Sequence, residues 1–412
     1  MHIQLDEWAA PRDVDLPRAV ASALNSRQVA SVIPTEIDGR WTVSQVRKVG
    51  SLMIDGHRID IRPKLPISRL FFLFGYAQRR RLWLAEETRL DSTPDLVPAI
   101  ATAFLRQLGV AVEQGLLQGY RECHDSDTVV RGRIDFVEQF KRRPGLASPL
   151  ELRFDEFTVD IDENRLLAAA LERLLQLPLL DPASRRALLH FRGMFAEVET
   201  LPRGMPLPRT RHDRRSEHYQ PALSLAQLIL TNASIEHRVG EHTATAFLVD
   251  VAQVFEDFVS VALRDSLQRS GGQVLSQRSD RLDALGHAVV RPDIVWQRHE
   301  RIHAVIDAKY KAERPAGYPN ADLYQMVTYC TRYGLRDGHL VYASGEETPK
   351  RIDIIGAPIT VHCHAVDLTG CPREILASID RVAEAIVASA PVNVPGNATR
   401  KSQSSSAVLS RH

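Results

Sequence analysis

Two aspartates and one lysine stand in this chain at a spacing that suits metal-dependent hydrolysis. Residues 291–311 predict two β-strands joined by a polar turn, because both halves of the stretch are rich in Val and Ile. Asp293 lies on the first predicted strand, and Asp307 and Lys309 lie on the second. Since side chains alternate along a strand, Asp307 and Lys309 are expected on the same face of the hairpin.

The two aspartates are ligands of the type that Mg²⁺ prefers. Burying a carboxylate in an apolar strand costs free energy unless a partner compensates its charge. Mg²⁺ binds one or two carboxylates together with water and phosphate oxygens, and Mn²⁺ would substitute for it. An ammonium at Lys309 would orient a metal-bound water, or help to deprotonate it, for attack on a phosphodiester. The residues therefore predict hydrolysis with Asp293 and Asp307 as metal ligands.

Two predicted helices bring further polar side chains toward the hairpin. A helix over about 245–269 places Glu256 in an apolar stripe, where an acid faces the core rather than solvent. A second helix begins at Asn320, which can cap it, and ends at Gly334. It carries Gln325 and Tyr329 one turn apart on one face.

The order of these elements resembles the PD-(D/E)xK nuclease superfamily. Its central motif is matched by Pro292-Asp293 and, after thirteen intervening residues, by Asp307-Ala308-Lys309. Glu256 matches the acid that the superfamily carries in the helix before its strands. Gln325 and Tyr329 match the Q-x-x-x-Y motif of its RecB-like members. The resemblance implies a restriction-endonuclease-like α/β core with a mixed sheet.

The same resemblance implies a catalytic role for each of the matched residues. Three carboxylates would hold Mg²⁺, one lysine would act on the attacking water, and two residues of the second helix would contact the active site and nucleic acid. The metal ligands would be Asp293, Asp307 and Glu256. The other three are Lys309, Gln325 and Tyr329.

Each of these residues also has an ordinary structural interpretation. Asp307 and Lys309 would form a surface ion pair on an edge strand, and Glu256 would pair with a nearby arginine. Gln325 and Tyr329 would be a solvent-facing pair. The nuclease interpretation is favoured because the positions fall together in the order and spacing that one chemistry needs.

The composition is that of a multidomain protein without a membrane segment. The chain has 412 residues, of which 44% are hydrophobic and 25% are charged, so two or more domains are expected. No apolar run approaches the roughly 20 residues that span a bilayer, and the first residues lack the pattern of a signal peptide. Four scattered cysteines fit reduced thiols. These features predict a cytoplasmic location.

Few other binding motifs occur in the sequence. Strand alternation separates Cys363 from His362 and His364, so zinc binding is not expected there. The net charge is only +1, but three basic clusters are candidates for phosphate contact. These clusters are residues 79–81, residues 141–143 and the five arginines between 203 and 215. No G-x-x-x-x-G-K-[ST] pattern occurs, so the chain itself is expected to bind no nucleotide.

Phrases in both halves of the chain resemble the McrC subunit of McrBC modification-dependent (type IV) restriction systems. The likeness covers most of residues 40–345 in the same order, and its N-terminal phrases are not general nuclease features. The matching phrases are Val49-Gly50, Ile59-Asp60-Ile61-Arg62-Pro63-Lys64-Leu65, Val130-Arg131-Gly132-Arg133-Ile134, Asp155-Glu156-Phe157-Thr158 with Asn164-Arg165, and Phe255-Glu256.

This resemblance implies a partner and a substrate. McrC-like proteins supply the nuclease, and their partner is an McrB-like AAA+ GTPase ring, usually with a domain that reads modified cytosine. The N-terminal part of McrC projects into the pore of the ring and stimulates GTP hydrolysis, whereas the C-terminal part cuts double-stranded DNA. A homodimer through the nuclease domain, within that complex, is a further expectation.

The predicted organisation is an α/β and α+β multidomain chain. Residues 1–235 would form an N-terminal partner-binding region, with a small β module at about 40–66 and a helical part at about 67–235. The module would contain a hairpin turn at Asp55-Gly56. The nuclease domain would occupy 236–390, and the tail rich in Ser, Pro, Asn and Gly at 391–412 would be disordered.

Two alternatives stay open on the sequence. A stand-alone RecB-like DNA repair nuclease would explain Gln325 and Tyr329, but it leaves the long N-terminal region without a use. A non-catalytic adaptor would retain the fold only to stimulate an NTPase, which the intact Asp293, Asp307 and Lys309 argue against.

Overall fold

The computed structural model describes residues 2–77, 95–146, 148–177, 180–202, 204–208, 210, 216–238, 241–310, 320–343 and 350–390. Within these ranges the chain begins with strands, continues through a mainly helical stretch and ends in a sheet flanked by helices. The chain is therefore a mixed α/β protein. The basic residues 79–81, the five arginines between 203 and 215, and the tail 391–412 lie outside the described residues.

Two small sheets form the N-terminal part. The elements are β1 (His2–Asp6), β2 (Arg12–Asp15), α1 (Arg18–Ser26), β3 (Ser31–Pro34), β4 (Arg40–Ser44), β5 (Lys48–Ile54) and β6 (His57–Arg62). Asp55 (φ 47°) and Gly56 (φ 78°) both adopt the left-handed backbone of a two-residue type I′ turn between β5 and β6, as predicted. The β module predicted at about 40–66 is divided between two sheets, because β4 pairs with β2 and β3, whereas β5 and β6 belong to another sheet.

The next stretch is mainly helical but contains a third sheet. Its elements are α2 (Ile67–Ala77), α3 (Leu96–Ala111), β7 (Gly119–Asp127), β8 (Arg133–Ile134), α4 (Phe136–Arg142), β9 (Leu150–Thr158), α5 (Asp162–Leu175), α6 (Pro182–Met194) and α7 (Gln220–Asn232). The strand order is β7-β9-β8. We call residues 119–158, which form this sheet and α4, the arm. The helices α2, α3, α5 and α7 contribute to one large apolar core.

Two further strands, between residues 233 and 250, complete the N-terminal sheet. These are β10 (Ala233–Arg238) and β11 (Glu241–Asp250), and the sheet order is β1-β6-β5-β11-β10. Gly50 (φ 129°) allows the close pairing of β5 with β11, because a Cβ there would lie 2.1 Å from the Phe247 carbonyl oxygen. The helix predicted from residue 245 therefore begins later, at Val251.

The C-terminal part is built around a six-stranded mixed sheet. Its elements are α8 (Val251–Gln268), β12 (Gln273–Ser276), β13 (Asp280–Arg281), β14 (Val289–Val290), β15 (Ile294–Arg298), β16 (Arg301–Lys309), α9 (Asn320–Tyr333), β17 (Asp337–Ala343), β18 (Lys350–Asp353), β19 (Thr360–Val366) and α10 (Pro372–Ser389). The order is β12-β15-β16-β17-β19-β18, in which β15 runs antiparallel to β16, and β16, β17 and β19 run parallel.

Helices cover both faces of this sheet. Ile306 and Ala308 of β16 share a core cluster with residues of α8 and α10. Val305, on the opposite face of β16, packs in a second cluster with Met326 and Cys330 of α9. Alternation along β16 therefore directs its odd-numbered side chains toward α9. None of the described helices is long and apolar enough to cross a membrane.

Candidate active site

Strand β16 places Asp307 and Lys309 on one face, toward α9. Asp307 is 2% exposed, and Lys309 Nζ lies 2.5 Å from Asp307 Oδ2. The same-face prediction is confirmed. The strand is central in the sheet, so the alternative of a surface ion pair on an edge strand is wrong.

Asp293 reaches the same place from the residue just before β15. Its Oδ2 accepts a hydrogen bond of 2.8 Å from the backbone N–H of Ala308, the residue after Asp307. Burial and, next, the charge of Asp307 raise the pKa of Asp293 to about 7. Two carboxylates therefore lie close together with too little positive charge around them.

Lys309 partly compensates these acids. Burial lowers its pKa, but the negative charges of Asp307 and Asp293 raise it by more, so the pKa lies above its ordinary value. The Lys309 ammonium lies against the buried Asp307 Oδ2 and forms a charge-assisted contact with it. Burial and, next, the charge of Asp307 nevertheless raise the pKa of Asp293, so the ammonium does not fully offset the two acids.

Glu256 approaches the site from helix α8. Burial raises its pKa, while Lys309 lowers it and Asp307 raises it further, so Glu256 lies within electrostatic reach of both. The buried stripe of α8 includes Phe255 and Val259, and Glu256 is a half-buried residue beside it rather than inside it. The buried face of α8 includes Phe255, Phe258 and Ala262, so Glu256 lies at its edge.

Gln325 and Tyr329 of α9 connect to the segment before Asp293. The amide of Gln325 donates to Tyr329 Oη at 2.7 Å, and Tyr329 Oη donates to the Arg291 carbonyl oxygen at 3.2 Å. Burial and, next, the charge of Asp307 raise the pKa of Tyr329 to about 12. The pair is therefore not solvent-facing, because Tyr329 is buried and bonded to the hairpin.

Asp322 and Tyr342 also lie near Lys309, although no sequence pattern indicated them. Tyr342 Oη donates to Asp322 Oδ2 at 3.2 Å, and both residues are buried. Tyr342 on β17 is the register partner of Lys309, and the charge of Asp322 contributes to the raised pKa of Lys309. An acid in the first turn of a helix is common for dipole reasons alone, so its position carried no specific signal.

The donor set fits a hard cation that keeps most of its water. Asp293 and Asp307 offer carboxylate oxygens, and burial together with the charge of Asp307 raises the pKa of Asp293. Among the described residues, no group of three or more His, Cys, Asp or Glu side chains is arranged to hold a metal ion. One or two carboxylates are the protein ligands that Mg²⁺ commonly takes together with water, so the residues present are of the type that this cation binds.

Other polar clusters in the described chain are engaged elsewhere. Cys363 packs in the core on the α9 side, whereas His364 Nε2 lies 3.0 Å from His339 Nδ1 on the other side of the sheet. Of the basic clusters, 141–143 is paired with acids: Arg142 lies 3.3 Å from Glu138, and Arg143 lies 3.5 Å from Glu151. The three basic residues therefore have acidic partners, although Lys141 and Arg142 stay exposed.

The fold and the site define a mixed α/β protein in which Asp293, Asp307 and Lys309 lie together at a central strand of the C-terminal sheet. A family model described as "McrBC 5-methylcytosine restriction system component" matches residues 44–343. The chain belongs to this McrBC family, and the resemblance to its McrC subunit is confirmed.

Two solved structures are similar to this chain. A half-complex from a tetradecameric assembly of Thermococcus gammatolerans McrB AAA+ hexamers with bound McrC matches at 16% identity and a TM-score of 0.56, over 94% of this chain and 100% of that chain. The cryo-EM structure of the Thermococcus gammatolerans McrBC complex matches at 18% identity and a TM-score of 0.39, over 65% and 88%. The first match shows a shared fold. The comparison with curated proteins returns no match.

Proposed function

We propose that this chain is the DNA endonuclease subunit of an McrBC-like restriction complex, that it cuts phosphodiester bonds with Mg²⁺, and that it stimulates a partner AAA+ GTPase. The main support for the proposal is that Asp293, Asp307 and Lys309 lie close together. Asp307 is buried, Asp293 is half-buried, and the Lys309 ammonium lies against Asp307 Oδ2.

Each side chain has a defined task in this proposal. Bound Mg²⁺ would lower the pKa of a water molecule and stabilise negative charge on the scissile phosphate. Asp293 and Asp307 would hold the cation, and Glu256 would add negative charge from α8. Lys309, which stays protonated, would orient the attacking water and stabilise the charge that develops on the phosphate oxygens.

Gln325 and Tyr329 would position the acids. Tyr329 holds the Arg291 carbonyl, two residues before Asp293, and Gln325 holds the Tyr329 hydroxyl. Removing this chain of hydrogen bonds would allow the Asp293 carboxylate to move relative to Asp307. A contact to DNA by the same helix face remains part of the proposal, because the family resemblance assigns it there.

Partner binding is assigned to the N-terminal region, and the arm supports it. Monomeric proteins rarely expose large contiguous apolar patches, so such patches mark surfaces for protein contact. The arm carries eight exposed large apolar side chains: Tyr120, Val129, Val130, Phe136, Val137, Phe140, Leu146 and Phe157. The first structural match is a complex of McrB AAA+ hexamers with bound McrC. We propose an McrB-like GTPase ring as the partner of this chain.

The function is tested by cleavage of double-stranded DNA, modified and unmodified, with the chain, its McrB-like partner and GTP. We expect cleavage with Mg²⁺ or Mn²⁺ and none after chelation. Asp307→Ala should remain folded and lose cleavage. Metal-independent cutting, or cutting by Asp307→Ala at the wild-type rate, would overturn the proposed site.

A further inference from the structure

Glu7 is a buried acid that joins the N-terminal sheet to the catalytic strand. It directly follows β1 and is 4% exposed. Its Oε2 accepts a hydrogen bond of 2.9 Å from the Lys64 backbone N–H and one of 3.4 Å from Tyr310 Oη. Its Oε1 is buried and has no hydrogen-bond partner among the described residues.

A carboxylate in this position is costly to the fold. Burial raises the pKa of Glu7 to about 7, while the Lys64 backbone, Tyr310 and the charge of Lys64 oppose this rise. The charge of Asp250, the residue that caps helix α8, raises the pKa further. A buried acid with an incomplete set of partners favours a role beyond stability.

Tyr310 links Glu7 to two of the elements that carry site residues, strand β16 and helix α8. It directly follows Lys309 at the end of β16 and is 8% exposed. Its ring lies 5.9 Å from that of Phe255, which precedes Glu256 on α8. The hydroxyl of Tyr310 therefore reaches the N-terminal sheet, and its ring contacts the helix beside Glu256.

The end of β16 needs such support. Among the described strands, β15 pairs with β16 only as far as Ile306, whereas β17 pairs with it as far as Lys309. Beyond Ile306, the Asp293 carboxylate bonded to the Ala308 N–H replaces the missing ladder on that side. Lys309 thus lies at a strand end that is held by one backbone neighbour, one site carboxylate and the Tyr310 anchor.

We propose that Glu7 and Tyr310 are positioning residues of the nuclease, which fix the end of β16 and so place the Lys309 ammonium relative to Asp307. This inference rests on the proposed function. It means that the N-terminal sheet, through Glu7, takes part in the geometry of the cleavage site. Loss of the anchor should slow the chemical step and leave DNA binding nearly unchanged, because neither residue faces the α9 side of the sheet.

The test uses the full chain with its partner and a matched control. Tyr310→Phe removes one tyrosine-to-carboxylate hydrogen bond, and so does Tyr76→Phe, whose hydroxyl donates to Asp265 at 3.2 Å near the far end of α8. We expect Tyr310→Phe and Glu7→Ala to lower kcat for cleavage about tenfold, with KM for DNA within about twofold. Glu7→Gln should restore most of the rate, and Tyr76→Phe should match the wild type.

A second measurement needs no cleavage. Amide hydrogen exchange of the full chain should be faster at residues 307–310 in Tyr310→Phe than in the wild type or Tyr76→Phe. Equal kcat for Tyr310→Phe and Tyr76→Phe in a chain that cuts, or unchanged exchange at the strand end, would overturn the positioning role. A wild-type chain that fails to cut would contradict the proposed function instead, and exchange would then decide the role of Glu7 and Tyr310.

Discussion

The arm and the six-stranded C-terminal sheet differ in which side chains lack favourable surroundings. In the sheet the apolar residues are packed, and the buried Asp307 lies close to the half-buried Asp293, whose pKa is raised by burial and by the charge of Asp307. In the arm many acids pair with arginines, such as Glu122 with Arg153 at 2.6 Å and Asp125 with Arg131. It is the apolar side chains of the arm that stay exposed.

This difference indicates what each region binds. Under-compensated negative charge is relieved by a cation and the phosphate group that the cation carries. Exposed apolar surface is relieved by another protein surface. Tyr120 and Phe157 illustrate the second case, because their rings pack together at 5.2 Å and yet remain 78% and 55% exposed. In the function proposed above, chemistry and contact are therefore separated along the chain.

The largest effect that we expect comes from removing the positively charged side chain of Lys309. Lys309→Ala deletes the ammonium beside Asp307 and should lower the cleavage rate by about 100- to 1,000-fold, since one preorganised charge in a catalytic site contributes about 2.7 to 4 kcal/mol. Single-turnover cleavage with saturating partner and Mg²⁺ measures it. A rate within tenfold of the wild type would show that cleavage does not take place at the proposed site in the C-terminal sheet.

The next effect tests whether the arm contacts the partner GTPase. Tyr120→Ser with Phe157→Ser should leave the chain folded, because exposed substitutions usually change stability by about 0.5 kcal/mol or less. It should weaken stimulation of the partner's GTP hydrolysis about tenfold or more. Leu285→Ser is the control, since Leu285 is also 78% exposed but lies outside the arm. Equal stimulation by both variants would remove the arm from the contact.

A smaller effect is expected at Tyr329. Tyr329→Phe keeps the buried ring and removes the hydroxyl that holds the Arg291 carbonyl. Loss of one hydrogen bond of this kind is worth about 0.5 to 1.5 kcal/mol, so cleavage should fall about two- to tenfold. Circular dichroism should show an unchanged fold. An unfolded variant would mean that the hydroxyl serves stability rather than the site.

The smallest effect concerns pH and the buried histidines of the same sheet. Burial and, next, the charge of His362 lower the pKa of His364 to about 4. The unfolded chain takes up this proton near pH 6.5, whereas the folded chain does not until near pH 4, so acid favours unfolding. The contribution of the neutral His364 to the free energy of unfolding should be complete above pH 6.5. It should fall by on the order of 1 kcal/mol between pH 6.5 and pH 5.5.

Urea unfolding of the wild type and His364→Gln between pH 5 and 8 isolates this contribution. The raised pKa values of Glu7 and Asp293 act in the opposite direction, because folding favours their protonated forms. These groups are present in both proteins, so the difference in slope reports His364. Parallel pH profiles would show that the folded protein accommodates the charged imidazole.

The hairpin, helix α9 and the six candidate residues were predictable because local patterns determine them. Alternation places Asp307 with Lys309, and the 3.6-residue period places Gln325 with Tyr329. The structure brings Asp293, Asp307 and Lys309 together and connects Gln325 and Tyr329 to the segment before Asp293. It holds Glu256 within electrostatic reach of Asp307 and Lys309.

The start of α8 was not predictable in the same way. Residues 241–250 contain Thr, Ala, Phe, Leu and Val, which suit a helix or a strand, and pairing with β5 decides between them. The arm was missed because its strands expose residues on both faces, which removes the usual apolar alternation. Asp322, Tyr342 and Glu7 reach the site region only through tertiary contacts.

The most direct test of the separation between chemistry and contact is Asp307→Asn, measured for both activities in one reaction with the McrB-like partner. The substitution removes a charge with little change of shape. We expect DNA cleavage to fall by at least about 100-fold, and GTP turnover by the partner to be stimulated to within about twofold of the wild-type level. A folded, partner-bound Asp307→Asn chain that no longer stimulates GTP turnover, or that still cuts DNA at the wild-type rate, would contradict this separation.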